Sequence, residues 1–119
     1  DRTILHNAFL SGHLKIREIL SYGTDLINIK DNKGNTAYIY AVKSLNVYNV
    51  MHCHQIEKND YYTINKKGNN ALHELFLTEH FYRYDQLRFL IDLVLAFGSF
   101  LPIMKNNDDE SPIDILKKI

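Results

Sequence analysis

Apolar residues recur at helical spacing in short blocks along this chain. Leu5 and Ala8 share one face; Ile16, Ile19 and Leu20 form a second stripe; Leu87, Leu90, Ile91, Val94 and Leu95 extend the pattern over a longer run. Between the blocks "LKIREIL" and "AYIYAV" lies "GTDLINIKDNKGNTA" (Gly23 to Ala37), crowded with Asn, Asp, Lys and Gly. Those residues favour turns, because their side chains bond nearby backbone or free it to take unusual angles. The pattern therefore predicts a unit of short helix, turn, second helix and polar extended loop, with "GTDLINIKDNKGNTA" closing one unit and opening the next.

The unit recurs. "RTILHNA", "NTAYIYA", "NNALHEL" and "ESPIDIL" each place a small polar residue before a helix start. Thr36 follows Thr3 by 33 residues, Asn70 follows Thr36 by 34, and Ser111 follows Asn70 by 41. Thr, Asn and Ser are good N-caps, since their side-chain oxygens accept from unpaired first-turn N–H groups. Pro112 stands directly after Ser111, where a missing N–H costs nothing. Gly34 and Gly68 fall two residues before their caps, at the tip of a turn. Gly23 and Gly98 are expected to close second helices in the left-handed region, and Gly12 to end a first helix. The units run approximately over 1–30, 31–64 and 65–105, with a partial unit at 106–119. The expected class is all-α, in a single domain of stacked helix-turn-helix units.

Composition narrows the function. The chain has 119 residues with 14 basic and 14 acidic side chains. This balance gives no argument for direct contact with nucleic acid or a membrane surface. No apolar run approaches the roughly 20 residues of a membrane span. The one cysteine, Cys53, excludes an internal disulfide and suits a reducing compartment, so an intracellular setting in nucleus or cytoplasm is expected. A start at Asp1 without a signal peptide reads as a fragment of a longer chain. No phosphate loop, nucleophile elbow or zinc-hydrolase helix is present, and neither an enzyme nor a cofactor is expected. His52, Cys53 and His54 are consecutive; on a helix they point about 100° apart and cannot converge on one ion.

The repeated blocks resemble ankyrin repeats, whose signature is a 33-residue unit with T-P-L-H-x-A. Here it stands as "TILHNA" with Gly12-His13, and as "NALHEL". The second copy keeps Thr36 and Ala41 but has Tyr38-Ile39 for the Leu-His pair; the last has Asp114 in the histidine's place. The resemblance implies an ankyrin-repeat solenoid with extended connecting loops. It also implies a non-catalytic protein-protein interaction module, in which His6 and His73 hydrogen-bond the adjoining connector. A narrower resemblance rests on "AVKSLNVY" (Ala41 to Tyr48), the spacing to Leu72-His73, and Ile91-Asp92-Leu93. It is to the ankyrin region of fungal G1/S cell-cycle transcription regulators of the SBF and MBF type. A host-directed viral or bacterial ankyrin effector and a structural spacer between flanking domains stand as alternatives.

The resemblance places partner contacts at connector tips and on the exposed side of each first helix. The tips are Lys30, Asn32, Lys33 and Asn35, then Lys66, Lys67 and Asn69, then Lys105, Asn107, Asp108 and Glu110. Helix-face candidates are Leu10, Ser11, Lys43, Ser44, Leu77 and Thr78. Lysine pairs on two tips point to a protein partner with an acidic surface; solvated turns are the plainer alternative. The third unit is about eight residues too long, with the excess near "EHFYRYDQ" (Glu79 to Gln86). Phe81, Tyr82, Arg83 and Tyr84 there suit a recognition surface; an extended helix with packed rings is the alternative. Asn28 is the nearest candidate for the asparagine hydroxylation known in ankyrin domains. Oligomeric state is open.

Overall fold

A computed structural model describes residues 2–11 and 24–119. Gly12, His13, Ile16, Ile19, Leu20, Gly23 and the side chains of Leu10 and Ser11 lie outside the described set. Among the described residues the chain is helical and has no strand. Six α-helices are present there: α1 (Ile4–Ser11), α2 (Ala37–Lys43), α3 (Val47–His54), α4 (Ala71–Leu77), α5 (Leu87–Phe97) and α6 (Pro112–Leu116). Tight 3-10 turns occupy Thr24–Leu26, Phe81–Arg83 and Leu101–Ile103. No described helix is long and apolar enough to cross a membrane.

The helices start where the caps predict. Thr36 Oγ1 accepts from Ile39 N, and Asn70 Oδ1 accepts from Leu72 N and His73 N. In two of the units histidine completes the cap: His6 Nδ1 accepts from Thr3 N at 2.8 Å, and His73 Nδ1 from Asn70 N at 3.0 Å. Because Nδ1 of His73 accepts, Nε2 carries the proton and donates to Glu110 O at 2.8 Å. One imidazole thus caps its own helix and holds the next connector. His6 closes only its own cap; its buried Nε2 has no hydrogen-bond partner among the described residues. Asp114 closes a capping box with Ser111 and stops there.

Helices α1, α2, α4 and α6 pack in a row, each against the next; α3 packs on α2 and α5 on α3. α2 has neighbours on both sides and behind, so all residues from Ala37 to Val42 are buried. Leu5, Phe9, Tyr38, Val42, Leu72, Leu75, Leu90 and Val94 form a continuous core with them. α6 ends the row. Ile115 is buried, while Ile113 and Leu116 are more than a third exposed. Gly98 ends α5 as expected but departs from expectation in its backbone angle. Its φ is −136°, outside the left-handed region, and a Cβ there would lie 2.5 Å from Leu101 Cδ1. Gly98 still closes α5 as its C-cap, its N donating to Val94 O at 2.9 Å; crowding against the Leu101 side chain, not a left-handed angle, disfavours a side chain there.

The 79–86 segment is neither an extended helix nor a wholly exposed surface. Phe81 is buried against Phe76, with ring centroids 5.3 Å apart, so it is a core residue and not a surface one. Tyr84 is half-buried, and its hydroxyl accepts from Val47 N at 3.0 Å, satisfying a first-turn donor of α3. Tyr82 and Arg83 alone of the four predicted residues are exposed.

Behind the first row, His54 Nε2 hydrogen-bonds the buried Tyr38 hydroxyl at 2.9 Å. Phe97 and Tyr61 flank the imidazole at centroid distances of 4.1 and 5.1 Å. Burial pushes the His54 pKa from 6.5 down to about 4. As pH falls, the unfolded chain takes this proton first, so stability is lost between pH 6.5 and 4. His73, also held low chiefly by burial, acts in the same direction. His54→Gln, whose amide can still reach Tyr38, is expected to flatten part of that slope. Urea unfolding at pH 7, 5.5 and 4.5 measures it; parallel pH profiles for both proteins would contradict the assignment.

Candidate binding groove

Three turns share one construction. Asp31 Oδ1 accepts from the backbone N of Lys33 and Asn35; Asn65 Oδ1 accepts from Lys67 N and Asn69 N; Asn106 Oδ1 accepts from Asp108 N and Glu110 N. Short Asp and Asn side chains suit this role, since each reaches its own backbone two residues on. Each turn is closed by a reciprocal backbone bond: Asp31 N to Asn35 O, Asn65 N to Asn69 O, and Asn106 N to Glu110 O. The fourth position is left-handed in all three, at Gly34, Gly68 and Asp109.

The turns are stitched side by side. Lys66 N donates to Lys33 O at 3.1 Å, and Asn107 N to Lys67 O at 3.0 Å. Beneath these bonds runs a ladder of amides. Asn65 Nδ2 donates to Asn35 Oδ1 at 3.0 Å, and Asn106 Nδ2 to Asn69 Oδ1 at 2.8 Å. Asn35 and Asn69, expected at exposed tips, are therefore buried structural residues. The fifth position of the turn folds back under the tip, where an amide can both donate and accept.

The ladder ends on acidic groups. Asn65 Nδ2 and Asn69 Nδ2 both donate to Glu74 Oε2, at 2.9 and 2.8 Å. Glu74 Oε1 lies 3.2 Å from Lys43 Nζ. Burial pushes the Glu74 carboxyl up; the bonds from Asn69 and Asn65 and the Lys43 charge outweigh it and hold it below its usual range. In the first turn, Tyr40 donates to Asp31 Oδ2 and accepts from Asn35 Nδ2 at 3.2 Å. Burial raises the Asp31 carboxyl as well, and the bonds from Tyr40, Asn35 and Lys33 bring it below the ordinary value.

A cleft of about 370 Å³ opens between the first two turns, with Asn35, Asn65 and Glu74 deep and Asn32, Lys33, Lys66 and Lys67 at the rim. Lys43 reaches it from α2. Lys33, Lys66 and Lys67 form no ion pair among the described residues. Of the lysines read from sequence, Lys33, Lys43, Lys66 and Lys67 are thus gathered around one opening; Lys30 instead donates to Ile64 O at 2.7 Å, and Lys105 stands at the third turn. The third turn differs. Asp108 is exposed, Asp109 lies 3.6 Å from Lys105, and Glu110 pairs with Lys118. Charge therefore changes sign along the row of turns.

Several predicted residues stand away from this cleft. Tyr82 and Arg83 lie on the turn beside α4 and α5, and Leu77 is exposed at the end of α4. Ser44 and Thr78 bond carbonyls of their own helices. Asn28 bridges to the second unit: Nδ2 donates to Lys58 O at 2.5 Å and Oδ1 accepts from Asp60 N at 2.9 Å. Cys53 is fully buried on α3, and burial pushes its thiol up, away from thiolate chemistry. Asp31, Asn65, Asn106, Tyr40 and Glu74 are additions that sequence reading missed. The signal was available for three of them, as Asp or Asn at equivalent places in "DNKGN", "NKKGN" and "NNDDE". No family model matches the chain, and no curated protein matches it.

Proposed function

We propose that the chain is an ankyrin-type repeat solenoid that acts as a non-catalytic protein-binding module, holding an acidic segment of its partner in the lysine cleft. The observation that carries this reading is the rim. Three lysines without ion-pair partners among the described residues face one opening, on turns fixed by a buried amide ladder. Fixed turns lower the ordering cost of binding, and like charge on one rim steers an oppositely charged partner. The row of packed first helices, the histidine bond from α4 to the next connector and the repeated turns support the solenoid reading.

Lys33→Glu combined with Lys67→Glu tests the reading. Both side chains are exposed, so the thermal midpoint should stay within a few degrees. Affinity for a glutamate-rich peptide should fall by roughly tenfold or more at moderate salt. Equal affinity of the two proteins would remove the cleft as the binding surface.

A further inference from the structure

The cleft's fourth lysine is not equivalent to the other three. Lys43 Nζ lies 3.2 Å from Glu74 Oε1, whereas Lys33, Lys66 and Lys67 have no such partner among the described residues. The two ends of this pair are held unequally. Glu74 is fixed, because Asn65 and Asn69 both donate to its other oxygen and its side chain is only 10% exposed. Lys43 is 35% exposed and hangs on a flexible four-carbon stem. An anion entering the cleft would therefore meet a carboxylate that cannot retreat and an ammonium that can turn toward it.

We propose that Glu74 is a built-in competitor for the partner's carboxylate: it holds Lys43 in the free protein and yields that lysine when an acidic partner side chain enters. The inference rests on the reading of the cleft as an acidic-segment site. It makes Glu74 a specificity-determining residue, since a neutral partner cannot draw Lys43 away, and a weakly acidic one gains little over the internal pair. It also explains why an acid sits deep in an otherwise basic cleft. The two asparagine amides need an acceptor, and a carboxylate serves them while restraining the lysine.

Glu74→Gln separates these roles. Its amide oxygen can still accept from Asn65 and Asn69, while its –NH₂ faces Lys43 and releases it. Calorimetric titration with a glutamate-rich peptide should show three- to tenfold tighter binding in Glu74→Gln. In a Lys43→Met background the same change should alter affinity less than twofold. Unchanged or weaker binding in Glu74→Gln, or equal tightening in both backgrounds, would overturn the proposal. A measurement on the wild-type chain covers the case in which the variant misfolds. The Glu74 carboxyl carbon, followed by NMR, should titrate at higher pH with saturating peptide, because its lysine has been withdrawn; no shift or a downward shift would overturn the proposal. Lys33→Glu with Lys67→Glu distinguishes the two levels. If that protein binds as well as wild type, the acidic-segment reading and this inference fall together. If it binds weakly and Glu74→Gln is without effect, the inference alone falls.

Discussion

Asn65→Ala is expected to destabilise the fold by about 3 kcal/mol, within the range set by the roughly 0.5–1.5 kcal/mol that each lost hydrogen bond costs. One side chain makes four. Its oxygen accepts from Lys67 N and Asn69 N at 3.0 and 3.1 Å, and its amide donates to Asn35 Oδ1 and Glu74 Oε2 at 3.0 and 2.9 Å. Truncation leaves buried Asn69 N and Asn35 Oδ1 without these partners, which is where the larger part of the loss arises. Asn65→Asp refines the test. It restores the acceptor seen at Asp31 in the first turn, but sets a carboxylate oxygen against Glu74. Asp31 avoids that conflict because Tyr40 donates to it. Asn65→Asp should therefore destabilise at neutral pH, and the deficit should shrink as acid protonates one of the pair. Urea unfolding measures both variants. A loss below about 1 kcal/mol for Asn65→Ala would show that the ladder contributes little to stability.

Gly68→Ala is expected to lower stability by a similar amount, about 3 kcal/mol, through two separable causes. The first is backbone: φ is +76°, and an L-residue there costs about 1–2 kcal/mol. The second is space. A Cβ would lie 2.7 Å from Asn107 N, which cannot retreat without stretching its 3.0 Å bond to Lys67 O. Gly34 is placed alike, with its Cβ position 2.8 Å from Lys66 N. The third turn supplies an internal contrast, since Asp109 has φ 61° at the same position. Asp tolerates the left-handed region better than most residues, so backbone angle alone does not demand glycine. Gly68→Asn, which eases the backbone cause but not the spatial one, should still destabilise. Thermal unfolding of Gly68→Ala and Gly68→Asn decides this. If Asn at position 68 matches wild type, close stacking of the turns is not what selects glycine.

Local rules were legible in the sequence. Thr36, Asn70 and Ser111 cap helices because an N-cap needs only a short polar side chain beside its own first turn. Gly34 and Gly68 were legible as turn tips for the same reason. Gly98 was legible as the end of α5 but not in its backbone angle, because glycine after a helix has two explanations and only the position of Leu101 separates them. Asn35 and Asn69 were read as exposed because polarity suggests solvent, whereas their amides satisfy one another under the turns. For Phe81 the sequence left a recognition surface and a packed ring both open, because extra length in a unit allows either; the chain turns it onto Phe76. Glu74 carried no local sign at all. It is an ordinary residue of α4 until the second turn and Lys43 are brought to it.

Binding of an acidic segment at the lysine cleft is tested most directly by an NMR titration of the ¹⁵N-labelled chain with a glutamate-rich peptide, read residue by residue. The backbone amides of Lys33, Lys66 and Lys67, with that of Lys43, should shift together along one saturable curve, and the shifts should diminish as salt is raised. No saturable shift, or a shift centred on Tyr82 and Arg83 or on α5 and insensitive to salt, would contradict it.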